Sequence, residues 1–92
     1  MANGHEREVT LVNELGMHLR AAGRFVQCAA QYQSEISIEH QGVEVDGKSI
    51  MGILSLAAPC GRQITVSATG PDAEQALDAL VELVERGFYE ED

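Results

Sequence analysis

Val9 and Leu11 alternate with Glu8 and Thr10, the period-two pattern of a strand with one buried face. Asn13-Glu14-Leu15-Gly16 breaks that pattern, and from about Leu19 the period lengthens. Ala22, Val26, Ala29 and Ala30 recur at helical spacing while Arg20, Arg24, Gln27 and Gln31 share the opposite face, which predicts a helix to about Tyr32. Ile36 and Ile38 alternate with Glu35, Ser37 and Glu39, and Val43 and Val45 alternate with Glu44 and Asp46. Between these two strands His40-Gln41-Gly42 suits a tight hairpin, with Gly42 at positive φ. Ser49 to Leu56 is mostly apolar and reads as a short helix, although its length does not separate helix from strand cleanly. Ile64, Val66 and Ala68 mark a fourth strand. Gly70-Pro71-Asp72 ends it and opens a last helix, whose stripe is Ala73, Ala76, Leu77, Leu80, Val81 and Val84 and whose stop is Gly87.

The order is β-α-β-β-α-β-α, an α+β chain. Four strands with one apolar face need one covering layer, and three amphipathic helices supply it. The whole of residues 1–92 reads as a single domain, with 1–7 and 88–92 expected as loose ends. Many unrelated activities sit on this split β-α-β plan, so the fold alone decides nothing about function.

Charge narrows the choices. Six basic residues against fifteen acidic ones give a net −9, which argues against a nucleic-acid partner. The acid is concentrated at one end: Pro71 to Asp92 carries eight carboxylates against Arg86 alone. Arg20, Arg24 and Lys48 lie elsewhere, as a weakly basic patch suited to steering a protein partner. No apolar run is long enough for membrane insertion, and the first residues hold no apolar signal core, so a cytoplasmic protein is expected. Cys28 and Cys60 are too few for a disulfide framework, and His5, His18 and His40 lack ligand spacing, so neither metal nor cofactor is expected.

The residues that stand out chemically are Gly16-Met17-His18-Leu19-Arg20, where a loop becomes the first helix. A helix start offers unpaired backbone N–H groups and a field that favours anions. A phosphoryl group on the His18 ring would find donors there, and Arg20 adds a guanidinium fork that matches phosphate. The plainer alternative is a histidine that only caps or packs at the helix start. A second feature is Gly47-Lys48-Ser49-Ile50-Met51-Gly52. Ser49 suits the N-cap of the short helix, and it also suits phosphorylation, which would add roughly −2 charge there. Ile50, Met51 and Leu54 fit either the core or an exposed docking patch.

Together these motifs resemble the HPr family, the histidine phosphocarriers of the phosphoenolpyruvate-dependent phosphotransferase system. The resemblance runs from about Glu8 to Gly87 and rests on Val12 to Arg20, on Lys48-Ser49-Ile50-Met51-Gly52 and on Ala68-Thr69-Gly70. It implies an HPr-like open-faced β-sandwich, with four antiparallel strands in the order 1-4-2-3 under three helices. It implies that His18 accepts phosphate at Nδ1 from phosphorylated enzyme I and passes it to an EIIA-type acceptor, with Arg20 steadying the phosphoryl group. Ser49 matches the serine modified by an HPr kinase/phosphorylase. Met17, Leu19, Arg24, Lys48, Ile50, Met51 and Leu54 are the implied partner surface, and a monomer is expected. Gly61-Arg62-Gln63-Ile64, Ala68-Thr69-Gly70-Pro71 and Gly87-Phe88 also resemble the nitrogen-related branch, NPr. The usual pattern G-x-H-A-R-P-A is altered at two places: Leu19 replaces a small residue and Ala21 replaces proline. These changes bear on transfer rate and partner choice. Two other functions compete with the carrier: a regulatory binding module governed by Ser49, and a small phosphatase-type enzyme acting on acyl phosphates.

Overall fold

In the computed structural model, which describes residues 4–90, the chain runs β1 (Gly4–Thr10), α1 (Leu19–Ala29), β2 (Glu35–His40), β3 (Val43–Asp46), α2 (Ile50–Ser55), β4 (Gln63–Thr69) and α3 (Ala73–Glu85). A 3-10 turn at Gly87–Tyr89 follows. The four strands form one antiparallel sheet in the order β1-β4-β2-β3. This is the expected architecture.

Register explains the core. Val9 stands opposite Ile64, Ile38 opposite Val66 and Ile36 opposite Ala68, so their side chains line one face of the sheet. Against that face pack Ala22, Phe25 and Ala29 of α1, Ile53 of α2 and the Ala76-Leu77-Leu80-Val84 stripe of α3, all buried. Phe25 belongs to this core although the small-residue stripe of α1 does not announce it, and Ala30 faces solvent. The β2–β3 hairpin turns through Gln41 and Gly42, with φ of 54° and 83°. Two consecutive positive φ values match the right-handed strand twist of a two-residue hairpin. His40 lies just before the turn, on the buried face, where its Nδ1–H donates to the Leu56 carbonyl at 3.1 Å and fastens the end of α2.

Two expectations need correction. Residues 4–7 are not a loose end: β1 starts at Gly4 and pairs with β4 along its whole length. The sequence hides this because the inward positions beyond Val9 are polar. Arg7, opposite Val66, reaches Asp78 of α3 at 2.8 Å rather than filling the core. Nor is residue 88 loose, since the Phe88 ring is fully buried. Residues 1–3 and 91–92, also expected as loose, lie outside the described residues.

Candidate functional site

The loop from Leu11 to His18 is built against the loop before β4. Leu11 N–H bonds the Arg62 carbonyl at 2.9 Å, Gly61 N–H bonds the Leu11 carbonyl at 2.8 Å, and Met17 N–H bonds the Ala58 carbonyl at 2.9 Å. Gly16 is required where these loops meet. Its φ is +66°, and a Cβ there would stand 2.6 Å from the Ala58 carbonyl oxygen and 2.8 Å from Pro59 Cα. Both neighbours are backbone, so nothing flexible would yield. The same docking buries Met17, which is 5% exposed. Met17 is therefore core and leaves the partner surface on which the sequence placed it.

His18 follows as the N-cap residue of α1, with extended backbone and a half-buried ring. Its carbonyl accepts from Ala22 N–H at 2.8 Å, and its ring Nδ1 accepts from Arg20 N–H at 3.3 Å. The amides of Leu19 and Ala21 have no backbone acceptor among the described residues. Nδ1 thus points at the end of the helix where anions are favoured. Nδ1 caps the helix start, as the plainer reading of the sequence expects.

The other ring nitrogen meets a group that sequence reasoning missed. Nε2 of His18 is hydrogen-bonded to Oε2 of Glu90, and the two side chains are 24% and 15% exposed. Oε1 of Glu90 accepts from Asn13 Nδ2 at 3.2 Å, and Asn13 Nδ2 also donates to the Gly16 carbonyl at 2.7 Å. Burial alone would raise the Glu90 carboxyl. The hydrogen bonds from His18 and Asn13, with the favourable electrostatics of the His18 ring and Arg24, outweigh it and hold the group below the usual carboxylate range. No local signal marks Glu90, which is one of several acids near the end of the chain.

The three candidate cations differ. The Arg20 side chain is exposed, has no hydrogen-bond or ion-pair partner among the described residues, and lines the same cleft as His18. Arg24 is half-buried and donates to the Phe88 carbonyl. Lys48 is half-buried and donates to the Tyr32 carbonyl at 2.8 Å, close to the end of α1. Two of the three therefore spend donors on fixing the fold. His18, Leu19, Arg20, Asn13, Cys60 and Glu90 share the walls of an open cleft of about 1100 Å³. Cys28 packs against the core away from this cleft, and burial pushes its thiol up.

Ser49 caps α2: its Oγ accepts from Gly52 N–H at 3.1 Å. Ile50 is 37% exposed and Met51 77%, and Leu19 is 65% exposed at the start of α1. Leu54 is half-buried against the core. Leu19 at the start of α1 and Ile50 and Met51 at the start of α2 are therefore exposed apolar residues, whereas Leu54 is packed against the core.

A family profile described as "PTS HPr component phosphorylation site" matches residues 5–86. The phosphocarrier protein HPr of Cupriavidus necator is 40% identical over 85 residues, 92% of this chain and 96% of that one. Its counterpart from Xylella fastidiosa strain Temecula1 is 43% identical over 86 residues, 94% and 97% of the two chains. The chain belongs to the HPr family. Among solved structures, HPr from Thermoanaerobacter tengcongensis superimposes with a TM-score of 0.91 at 42% identity, covering 96% of this chain and 99% of that one. A second structure from the same organism is described as an HPr dimer, with a TM-score of 0.76 at 43% identity and coverage of 89% and 94%. In this HPr-family chain, His18, Arg20 and Leu19 gather at one helix start, with Ser49, Ile50 and Met51 at another. Among the described residues no helix is long and apolar enough to cross a membrane.

Proposed function

We propose that this phosphocarrier takes a phosphoryl group from phosphorylated enzyme I onto Nδ1 of His18 and hands it to an EIIA-type acceptor protein. The observation that carries this reading is the ring itself. Nδ1 meets a backbone N–H at the start of α1, while the cleft in front of it lies open. The Nδ1 lone pair attacks phosphorus as the donor's bond to phosphorus breaks, and the electron pair of that bond returns to the donor. Arg20 faces the transferred oxygens, and the Leu19 and Ala21 amides lie in the same first turn. Arg20 is thus the side chain that steadies the phosphoryl group.

Leu19, Ile50 and Met51 form the apolar surface against which successive partners dock. A small patch of this kind suits brief encounters. Ser49 is a regulatory site on that surface, open to an HPr kinase/phosphorylase. The protein works as a monomer in the cytoplasm, since both partners need the same face.

A second reading has its own support. Ser49 directly precedes the exposed Ile50 and Met51, so a phosphate there would alter docking whether or not His18 transfers quickly. In that case the protein is a regulatory module. Phosphoenolpyruvate, magnesium and enzyme I, with intact mass as the readout, separate the two. One acid-labile, alkali-stable phosphoryl group that is absent only from His18→Ala is expected. A wild-type chain that gains phosphate only through a serine kinase, and loses it in Ser49→Ala, would remove the carrier reading.

A further inference from the structure

We propose that Glu90 is the positioning residue of His18, holding the Nε2–H so that the lone pair stays on Nδ1 and the ring keeps its proton once Nδ1 carries phosphate. The proposal rests on the carrier reading and adds to it a residue from the far end of the chain.

Three observations carry it. The first is a match of donors and acceptors. A carboxylate only accepts, so the Nε2 in contact with Glu90 bears hydrogen. A backbone amide only donates, so the Nδ1 in contact with Arg20 N–H does not. Two independent contacts select the same tautomer, the one with nucleophilic Nδ1. The second is that both oxygens of Glu90 are engaged, one by His18 and the other by Asn13, and Asn13 is itself held by the Gly16 carbonyl. The carboxylate therefore has a fixed orientation and is kept ionised by its surroundings.

The third observation is the turn that delivers it. Gly87, Phe88 and Tyr89 all adopt positive φ, at 63°, 58° and 58°. Glycine does this freely, but two bulky aromatic residues do so at a cost and persist only where packing over-determines them. Here the fully buried Phe88 ring and the Arg24 guanidinium on the Phe88 carbonyl hold the turn in place. A strained reversal after α3 brings Glu90 onto His18.

The chemistry balances. His18 enters the reaction neutral, with hydrogen on Nε2. When Nδ1 bonds to phosphorus no proton leaves, so the phosphorylated ring is cationic and Glu90 faces its charge. A cationic ring is also the better leaving group, because the electron pair of the P–N bond returns to it on transfer to the acceptor. Glu90 thus acts through His18 in both directions and touches neither phosphorus nor the acceptor.

The test pairs ring spectroscopy with transfer kinetics on full-length wild type, Glu90→Ala and Glu90→Gln. Two-dimensional ¹H–¹⁵N spectra of the His18 ring at mildly alkaline pH report the tautomer and the solvent exchange of Nε2–H. The His40 ring serves as an internal check that the fold is unchanged. Wild type should show bare Nδ1 and a protected Nε2–H. Glu90→Ala should lose the protection and mix tautomers, with phosphotransfer from enzyme I slowed about tenfold, the scale of one charge-assisted hydrogen bond. Glu90→Gln keeps an acceptor but no charge. It should retain the tautomer while the phosphorylated ring loses its proton at lower pH, seen as a displaced pH profile for phosphohistidine hydrolysis. The other charged groups around the cleft, Glu14, Arg20, Glu85 and Arg86, are common to all three proteins, as is Arg24 beside Glu90. Unchanged tautomer, exchange and transfer in Glu90→Ala would overturn the proposal and leave the carrier reading standing. A wild type that takes no phosphate on His18 would instead overturn the carrier reading, and the proposal with it.

Discussion

An alanine at position 21 stands where the family pattern has proline, and its effect follows from the first turn of α1. The Ala21 methyl is fully buried, and its N–H has no backbone acceptor among the described residues. Proline there would remove a donor the helix does not use and would restrict the unfolded chain. Ala21→Pro should therefore stabilise the protein by about 0.4–1 kcal/mol, a rise in Tm of a few degrees in a thermal melt. The same change takes an N–H from the turn that faces the phosphoryl group. Single-turnover transfer to His18 should slow by about tenfold or more, the worth of one hydrogen bond to a charged group. Faster transfer would show that this amide takes no part. Leu19 beside it is largely exposed, so its effect belongs to docking rather than to stability.

At the scale of elements, α2 has only six residues and depends on its cap. Ser49→Ala should cost about 1 kcal/mol of stability, measured by urea unfolding. Ser49→Asp keeps a good capping acceptor and should stay close to wild type in the same measurement. The two should reverse in function. The aspartate places a charge beside Ile50 and Met51, so KM for enzyme I should rise in Ser49→Asp and change little in Ser49→Ala. Equal KM values would separate Ser49 from the docking surface. The cap was legible because a polar residue preceded an apolar run, and β2, β4 and α3 were legible because their inward positions are almost all apolar. The first half of β1 was not, since its inward Arg7 answers to Asp78 on α3 and to no local period. Met17 escaped for a related reason. Its burial is set by the loop pairing with Ala58, which lies far away in sequence.

Across the whole molecule, α3 is fastened near both ends by carboxylates that bond to other elements. Ahead of it, Asp72 turns away from its own helix and accepts from Ser34 Oγ at 2.5 Å and from the Gln33 and Ser34 amides at 2.9 Å each. Beyond it, Glu90 reaches His18, 72 residues earlier, a contact that no local pattern contains. The motif singled out His18 and Arg20 and the family resemblance gave them a role, but the partner of His18 at the chain's other end required the fold. The Ser34 hydroxyl first, then the Gln33 amide, hold the Asp72 carboxyl below its usual range against the opposing effect of burial. Glu90 is held down likewise. A carboxyl depressed in the folded state stabilises fully above its unfolded value of roughly 4, and that contribution fades as pH falls through the lower folded value. The urea midpoint of the wild type should therefore drop as pH falls from about 5 toward 3. Asp72→Asn should be less stable than wild type at neutral pH, and the gap should close in acid, where both carry a neutral side chain. Adding Glu90→Gln should flatten the remaining slope further, because the second clamp titrates in the same direction. Parallel curves for wild type and Asp72→Asn would mean that acid acts elsewhere, and that the Ser34 contact holds α3 without its charge.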